Sequence, residues 1–407
     1  MATSSKPLDG LTVLDLSRVL AGPWATQHLA DLGARVIKVE RPGVGDDTRR
    51  WGPPFVPAPD GAPGDATYFH CCNRGKRSIG IDFTRPEGAA VLRRLAARAD
   101  VLIENHKVGS LQRYGLDYAA LRELNPRLIY CSITGFGQTG PYADRPGYDA
   151  LIQAMGGLMS VTGEPDGAPG GGPQKVGVAV VDLLAGMYAL SSVLAALLGR
   201  TTTGLGTHID ISLLDVQVAM LANQASAWLL AGTLPQRWGT GHPSIVPYQA
   251  FACADGHVML AIGNDGQFHA FCEAAGAAHL AADPRYRNNR GRVEHRGTLV
   301  PALTQILRGK RREEWIALGE AHGFPCGPIN TIDQVFADPQ VQARGMVTTL
   351  HGKRDEVRSV SSPMRFDGIS ALSPVPPPAL GDSTEEVLGE LGYSTAEIAA
   401  LRASAVL

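Results

Sequence analysis

The sequence has no CxxC pair, no obvious disulfide framework and no excess of either charge. Its six cysteines, Cys71, Cys72, Cys131, Cys253, Cys272 and Cys326, form no ligand-like cluster with histidine. A structural metal is therefore not expected, and the thiols read as reduced groups in a cytoplasmic compartment. Lys and Arg number 37 against 39 Asp and Glu, a formal net charge of −2 that gives neither nucleic acid nor a membrane surface a reason to bind. Met1–Pro7 is polar and lacks the apolar stretch of a signal peptide. The dinucleotide fingerprint is missing as well. Ser17–Pro23 reads S-R-V-L-A-G-P, without GxGxxG and with proline where a phosphate-facing helix would open, so NAD is not expected. Long apolar runs are scarce. Only Val176–Leu198 is of membrane-spanning length, and it contains Asp182, Gly186 and two serines while Thr201–Gly206 follows without charged anchors, so a buried helix of a soluble protein is expected.

What is present is an α/β pattern. Leu11–Leu16 suits a buried strand, Pro23–Leu32 has helical spacing, and Arg35–Glu40 suits a second strand. That β-α-β start predicts a Rossmann-like parallel sheet. Strand-like runs recur at Ser78–Phe83, Val101–Glu104, Leu128–Ile133 and His208–Leu213, with helices at Pro86–Ala99, Asp117–Leu124, around Asp149–Met159 and at Leu214–Leu230. Arg41–Gly64 reads as an irregular excursion rich in Pro and Gly. From Gly232 to Gln249 periodicity is lost and turn residues crowd, as in a functional loop or a domain border. The expected organisation is a large domain over 1–212, a connector over 213–232, a small α/β domain over 233–330 and a second connector over 331–374, followed by a C-terminal stretch from 375 to 407. Residues 1–115 hold 16 Lys and Arg against 12 Asp and Glu, a mildly basic balance that suits a phosphate-bearing ligand.

Asp182 is the residue that most needs an account. It lies alone in the apolar run KVGVAVVDLLAGMY, where a carboxylate loses hydration and needs compensation. The simplest role is a helix N-cap, since Asp accepts well from the free N–H groups of a first turn. A chemical role needs context from the rest of the chain.

That context comes from several segments taken together: LTVLDLSRVLAGP, DLGARVIKVERPGVGD, NRGKRSIGIDF, ENHKVGSLQRYGL, LNPRLIYCSITGFGQTGP, GYDALIQAMGGLMSVTGEPDG, VGVAVVDLLAGMYA and GFPCGPIN. In this order, and over nearly the whole chain, the sequence resembles the class III CoA-transferases, the CaiB/BaiF or formyl-CoA transferase family. The segments VERPGVGDDTRRWGPPF and RWGTGHPSIVPYQAF are most similar to the succinyl-CoA:glutarate (or hydroxymethylglutarate) branch.

The resemblance implies that Asp182 is the nucleophile. It would pass an acyl group and then CoA through an anhydride and an aspartyl thioester, chemistry that a carboxylate can perform reversibly. It implies CoA contacts at Val19, Leu20, Ala21, Arg41, Asn105 and Arg113, and at Thr84, which stands where the family has lysine with Arg85 beside it. Tyr148 and Asp149 would neighbour the nucleophile. Gly239 and Gly241 would belong to a loop that shields intermediates from water, and one of Arg18, Arg50 or Arg237 would read the far carboxylate of a dicarboxylic substrate. Coenzyme A would enter and leave as acyl-CoA, with no tightly bound cofactor. The C-terminal stretch would return to the large domain, and two chains would form an interlocked homodimer.

Two other functions remain open at this point. An α-methylacyl-CoA racemase needs a base where Tyr148 stands, and a phenol is a poor one near pH 7. A non-catalytic acyl-CoA-binding protein would keep the cofactor contacts without needing Asp182.

Overall fold

A computed structural model describes residues 6–57, 63–352 and 356–407. Packing divides the chain into two units. One comprises Met1–Gly157, Gly177–Ala222 and Pro339–Leu407; the other comprises Leu158–Val176 and Asn223–Asp338.

The first unit is built on six parallel strands: β1 (Thr12–Asp15), β2 (Arg35–Glu40), β3 (Lys76–Gly80), β4 (Val101–Glu104), β5 (Ile129–Thr134) and β6 (His208–Ser212). Their order is β3-β2-β1-β4-β5-β6. Successive residues such as Val13 and Leu14, or Val36 and Ile37, go to opposite faces and both are buried. A parallel sheet covered on both sides requires such unbroken apolar strands, which is why these segments show no polar alternation. On one face, Ala25 and Leu29 of helix α1 (Ala21–Asp31) share a core with Val181, Ala185 and Ala189. On the other, Val91, Leu92 and Leu95 of α2 (Pro86–Ala96) share a core with Val387, Leu388 and Ile398 near the C-terminus. The C-terminal segment thus packs in the first unit.

Three more helices belong to this unit, α3 (Tyr118–Leu124), α4 (Asp149–Met155) and α5 (Val180–Thr203), and the last two shape the site. Of these, α5 is the membrane-length run. Only 39% of its apolar window is buried, with Val181, Ala185, Gly186, Ala189 and Val193 inward and Met187, Tyr188 and Leu198 exposed. It is therefore buried on the face that packs into the unit and exposed on the other. At Gly186 a Cβ would lie 2.7 Å from the Ala21 carbonyl oxygen, so glycine there lets α5 approach the first turn of α1. The helix expected over Leu214–Leu230 is two, α6 (Leu213–Met220) and α7 (Ala222–Ala231), interrupted where Ala222 takes a φ of 45°. The excursion from Arg41 contains a short 3-10 turn at Asp47–Arg50 and strands at Phe55–Pro57 and Pro63–Ala66; residues 58–62 lie outside the described residues.

The second unit has a three-stranded antiparallel sheet, with β8 (Gly256–Ala261) between β7 (Tyr248–Cys253) and β9 (Cys326–Pro328). Phe268, Phe271, Leu299, Leu303 and Trp315 form its core. Residues 158–176 fall in this unit, although the sequence suggested a border only near 233. The reason is local. Arg237 pairs with Asp166 and donates to the carbonyls of Ser160 and Glu164, and the Gly239 N–H donates to the Gly163 carbonyl.

Candidate active site

In a sheet of order 3-2-1-4-5-6 the chain leaves β1 and β4 in opposite directions, opening a crevice at their carboxyl ends. A cavity of about 420 Å³ lies there, lined by Arg18–Ala21 after β1, Asn105–Val108 after β4, Ile133–Gly135 at the end of β5, Ala143–Tyr148, Asp182 and Leu213. A second cavity of about 400 Å³ is lined by Leu16–Arg18, Lys38–Arg41, Val44–Asp47, Ile81–Thr84 and His106. Arg18 and His106 border both.

The turn after β1 is held peptide by peptide. Asp15 accepts from the Ser17 N–H (3.0 Å), and Lys38 Nζ donates to the Ser17 carbonyl (2.9 Å). Asn105 accepts from the Arg18 N–H (2.9 Å) and donates to the Arg18 carbonyl (2.7 Å). Asp46 accepts from the Val19 N–H (3.2 Å). These restraints keep Val19 at a φ of +71°, a conformation that costs a β-branched residue about 1–3 kcal/mol. The groups that hold the turn are themselves buried charges, with Lys38 2.9 Å from Asp46 and Lys76 3.1 Å from Asp15. Helix α1 then begins without a capping side chain, leaving its first turn beside the cavity.

At the N-terminus of α5 the expected capping role belongs to another residue. Ala179 is the N-cap and Asp182 the third residue of the helix. The carboxylate of Asp149 accepts from the Val181 N–H (2.8 Å) and the Asp182 N–H (3.4 Å), and also from Gln153 Nε2 (2.5 Å). Asp149 is thus the cap, reaching α5 from α4. Among the described residues no hydrogen bond reaches the carboxylate of Asp182, which is 8% exposed and lines the first cavity. Burial, with the Asp149 charge added, pushes its pKa up to about 7. A helix N-terminus favours the ionised form, but here desolvation outweighs it.

Of the residues singled out in the sequence, Arg18, Val19, Leu20, Ala21, Asn105, Tyr148 and Asp182 line the first cavity, and Arg41 and Thr84 line the second. Arg113 lines neither; its guanidinium lies over Tyr114, whose ring meets the second-cavity residue Phe83. Arg50 is exposed and also lines neither. Arg237 is engaged by Asp166 within the second unit. There too are Gly239, whose φ is +60°, and Gly241, whose N–H donates to the Trp238 carbonyl.

Residues not singled out also belong here. His106 donates through Nε2 to the Leu16 carbonyl (3.1 Å), which fixes that nitrogen as the protonated one. Burial, then the Arg18 charge, lowers its pKa to about 4, so the ring is neutral between the two cavities. Its position inside the ENHK segment was the available signal. Tyr68 feels the Asp182 carboxylate, which together with burial raises its phenol pKa. Arg145 had no signal beyond its place in a turn.

The walls around Tyr148 depend on a backbone contact. A Cβ on Gly147 would lie 2.5 Å from the Gly135 Cα, and one on Gly135 would lie 2.6 Å from the Gly147 Cα. Gly147→Ala is expected to push the Tyr148 segment off the end of β5. A displacement near 1 Å lowers kcat/KM about 100-fold. Steady-state kinetics with a melting curve checks this; wild-type kcat/KM would refute it.

The comparisons agree with this geometry. The family model described as CoA-transferase family III matches residues 8–384. The chain is 50% identical over 400 residues to a succinate--glutarate CoA-transferase of Agrobacterium fabrum, covering 96% of this chain and 97% of that one. It is 44% identical over 406 residues to a succinyl-CoA:glutarate CoA-transferase of Mus musculus, covering 99% and 91%. The crystal structure of a CaiB/BaiF family protein from Brucella suis superposes with a TM-score of 0.84 at 48% identity, covering 95% of this chain and 100% of that one. A Rossmann-like unit whose switch-point cavity holds an uncapping aspartate, together with these matches, shows that the chain is an enzyme belonging to CoA-transferase family III.

Proposed function

We propose that this CoA-transferase moves CoA from succinyl-CoA to a dicarboxylate such as glutarate, with Asp182 as nucleophile. The relatives named for those two substrates support the choice of acids. The observation that carries the mechanism is the Asp182 carboxylate, unbonded and facing the first cavity while Asp149 satisfies the helix end.

The cycle has four steps. Ionised Asp182 attacks the thioester carbonyl of the donor; the C–S bond breaks, giving an aspartyl–acyl anhydride and CoA thiolate. The thiolate attacks the aspartyl carbonyl and expels the donor acid as its carboxylate, leaving an aspartyl-CoA thioester. The acceptor carboxylate attacks that thioester, forming a new anhydride and releasing thiolate again. Finally the thiolate attacks the acceptor's carbonyl, and Asp182 leaves as a carboxylate. Each bond broken has a counterpart of similar energy formed, so no external energy is needed provided water is kept out. In this reading the turn at Val19–Ala21 holds the thiol end of CoA between steps, and Arg41 meets its phosphates. Homodimer assembly and a cytoplasmic location belong to the same reading.

Intact-mass spectrometry after incubation with succinyl-CoA tests it. A covalent CoA adduct on the peptide carrying Asp182, discharged by glutarate, is expected. Transfer that proceeds in the Asp182→Ala variant would refute it.

A further inference from the structure

Arg145 lines the first cavity together with Tyr148 and Asp182. Its guanidinium carbon lies 3.9 Å from the centre of the Tyr142 ring. Tyr142 in turn stands edge-on to Phe136, 5.6 Å away, and Phe136 packs against the core of the sheet. The aromatic pair is thus a platform anchored in the first unit. Stacking uses the face of the guanidinium and leaves its in-plane N–H fork available, the edge that takes a carboxylate in two parallel hydrogen bonds. Among the described residues no carboxylate pairs with Arg145, including its neighbour Asp144. The other cations of this wall are placed differently. Arg18 already pairs with Asp47 at 3.2 Å and borders both cavities, whereas Lys107 lines the Asp182 cavity but has no aromatic ring beneath it among the described residues. Arg145 is the cation of the Asp182 cavity that is seated on an aromatic ring and, among the described residues, free of an ion pair.

The geometry points to Arg145, seated on Tyr142, as the subsite for the distal carboxylate of a dicarboxylic acyl group or acceptor. This rests on the reaction proposed above and names the residue that makes it selective for dicarboxylates. A flexible ammonium in the same place would supply charge without the stacked, bidentate geometry, so lysine would replace arginine only in part.

The test is the acceptor kcat/KM, at saturating succinyl-CoA, for glutarate and for pentanoate, the chain of equal length ending in a methyl group. The readout is the ratio of the two, which does not depend on how much of a variant is folded. In Arg145→Gln the ratio is expected to fall about 100-fold, the range of one charge-assisted bidentate contact, and in Arg145→Lys by less. A ratio kept at the wild-type value in both variants overturns the assignment, whether the absolute rates hold or fall together. A wild-type enzyme without preference for glutarate would overturn the dicarboxylate reading itself, and this subsite with it.

Discussion

Asp182→Asn is expected to lower CoA transfer about 10⁴-fold while making the protein more stable at pH 8. The two effects have one cause. The carboxylate is buried without a hydrogen bond and close to the Asp149 charge, which raises its pKa from 3.8 to about 7. A group whose folded pKa lies above its unfolded value binds more protons in the native state between those two values. Stability therefore falls as pH rises from about 4 to about 7 and stays low above. The ionised nucleophile costs the fold on the order of 4 kcal/mol above pH 7, which the neutral amide avoids in part. Denaturant unfolding at pH 4 and pH 8 checks this: wild type and variant should differ little at pH 4, with the variant ahead at pH 8. The same titration governs turnover, because only the ionised form attacks. The kcat/KM of the wild type is expected to drop tenfold per pH unit below about pH 7. Equal stability at both pH values, or a flat rate profile down to pH 5, would refute this account.

The second large effect belongs to the charges under the Val19 turn. Lys38 is fully buried between Asp46 and the Ser17 carbonyl. Lys38→Met removes the cation and leaves both acceptors buried, at a cost of about 3–5 kcal/mol. It also releases the Ser17 peptide, so KM for acyl-CoA should rise well beyond what stability loss alone would give. Adding Asp46→Asn removes the stranded anion and should return part of the stability but none of the affinity, since Asp46 also holds the Val19 N–H. Urea unfolding and acyl-CoA titration of the single and double variants measure both. Independent losses that simply add would show that the network does not act as a unit. Acid has a related effect. Burial pushes Asp15, Glu40 and Asp46 up, but Lys76, Arg49 and Lys38 respectively more than reverse it and hold all three below the ordinary carboxylate range. Their contribution is present above about pH 4 and is lost as pH falls through their lowered values.

Much of the first unit is legible in the sequence because its strands are buried on both faces. Arg35–Glu40 and Val101–Glu104 are strands over the same residues that their apolar runs mark. The break between α6 and α7 is not legible. Leu213–Ala231 is mostly apolar with no Gly or Pro, so nothing in its composition marks the turn at Ala222. Asp182 could be found but not interpreted from its neighbours, since its release from capping depends on Asp149, thirty-three positions earlier. The borders of the small unit were hidden for a similar reason. Residues 158–176 join it through contacts of Arg237 and Gly239 that composition does not record. Arg145 sits between Asp144 and Pro146 and reads as ordinary turn polarity until the Tyr142 ring is seen beneath it.

The left-handed kink at Val19 has a bearing on how this scaffold diversifies. Its shape is dictated by Asp15, Lys38, Asp46 and Asn105 through main-chain contacts, so the identity of the side chains projecting from it is comparatively free. Engineering toward other thioesters can therefore vary the exposed Arg18, leaving the concealed ionic framework untouched.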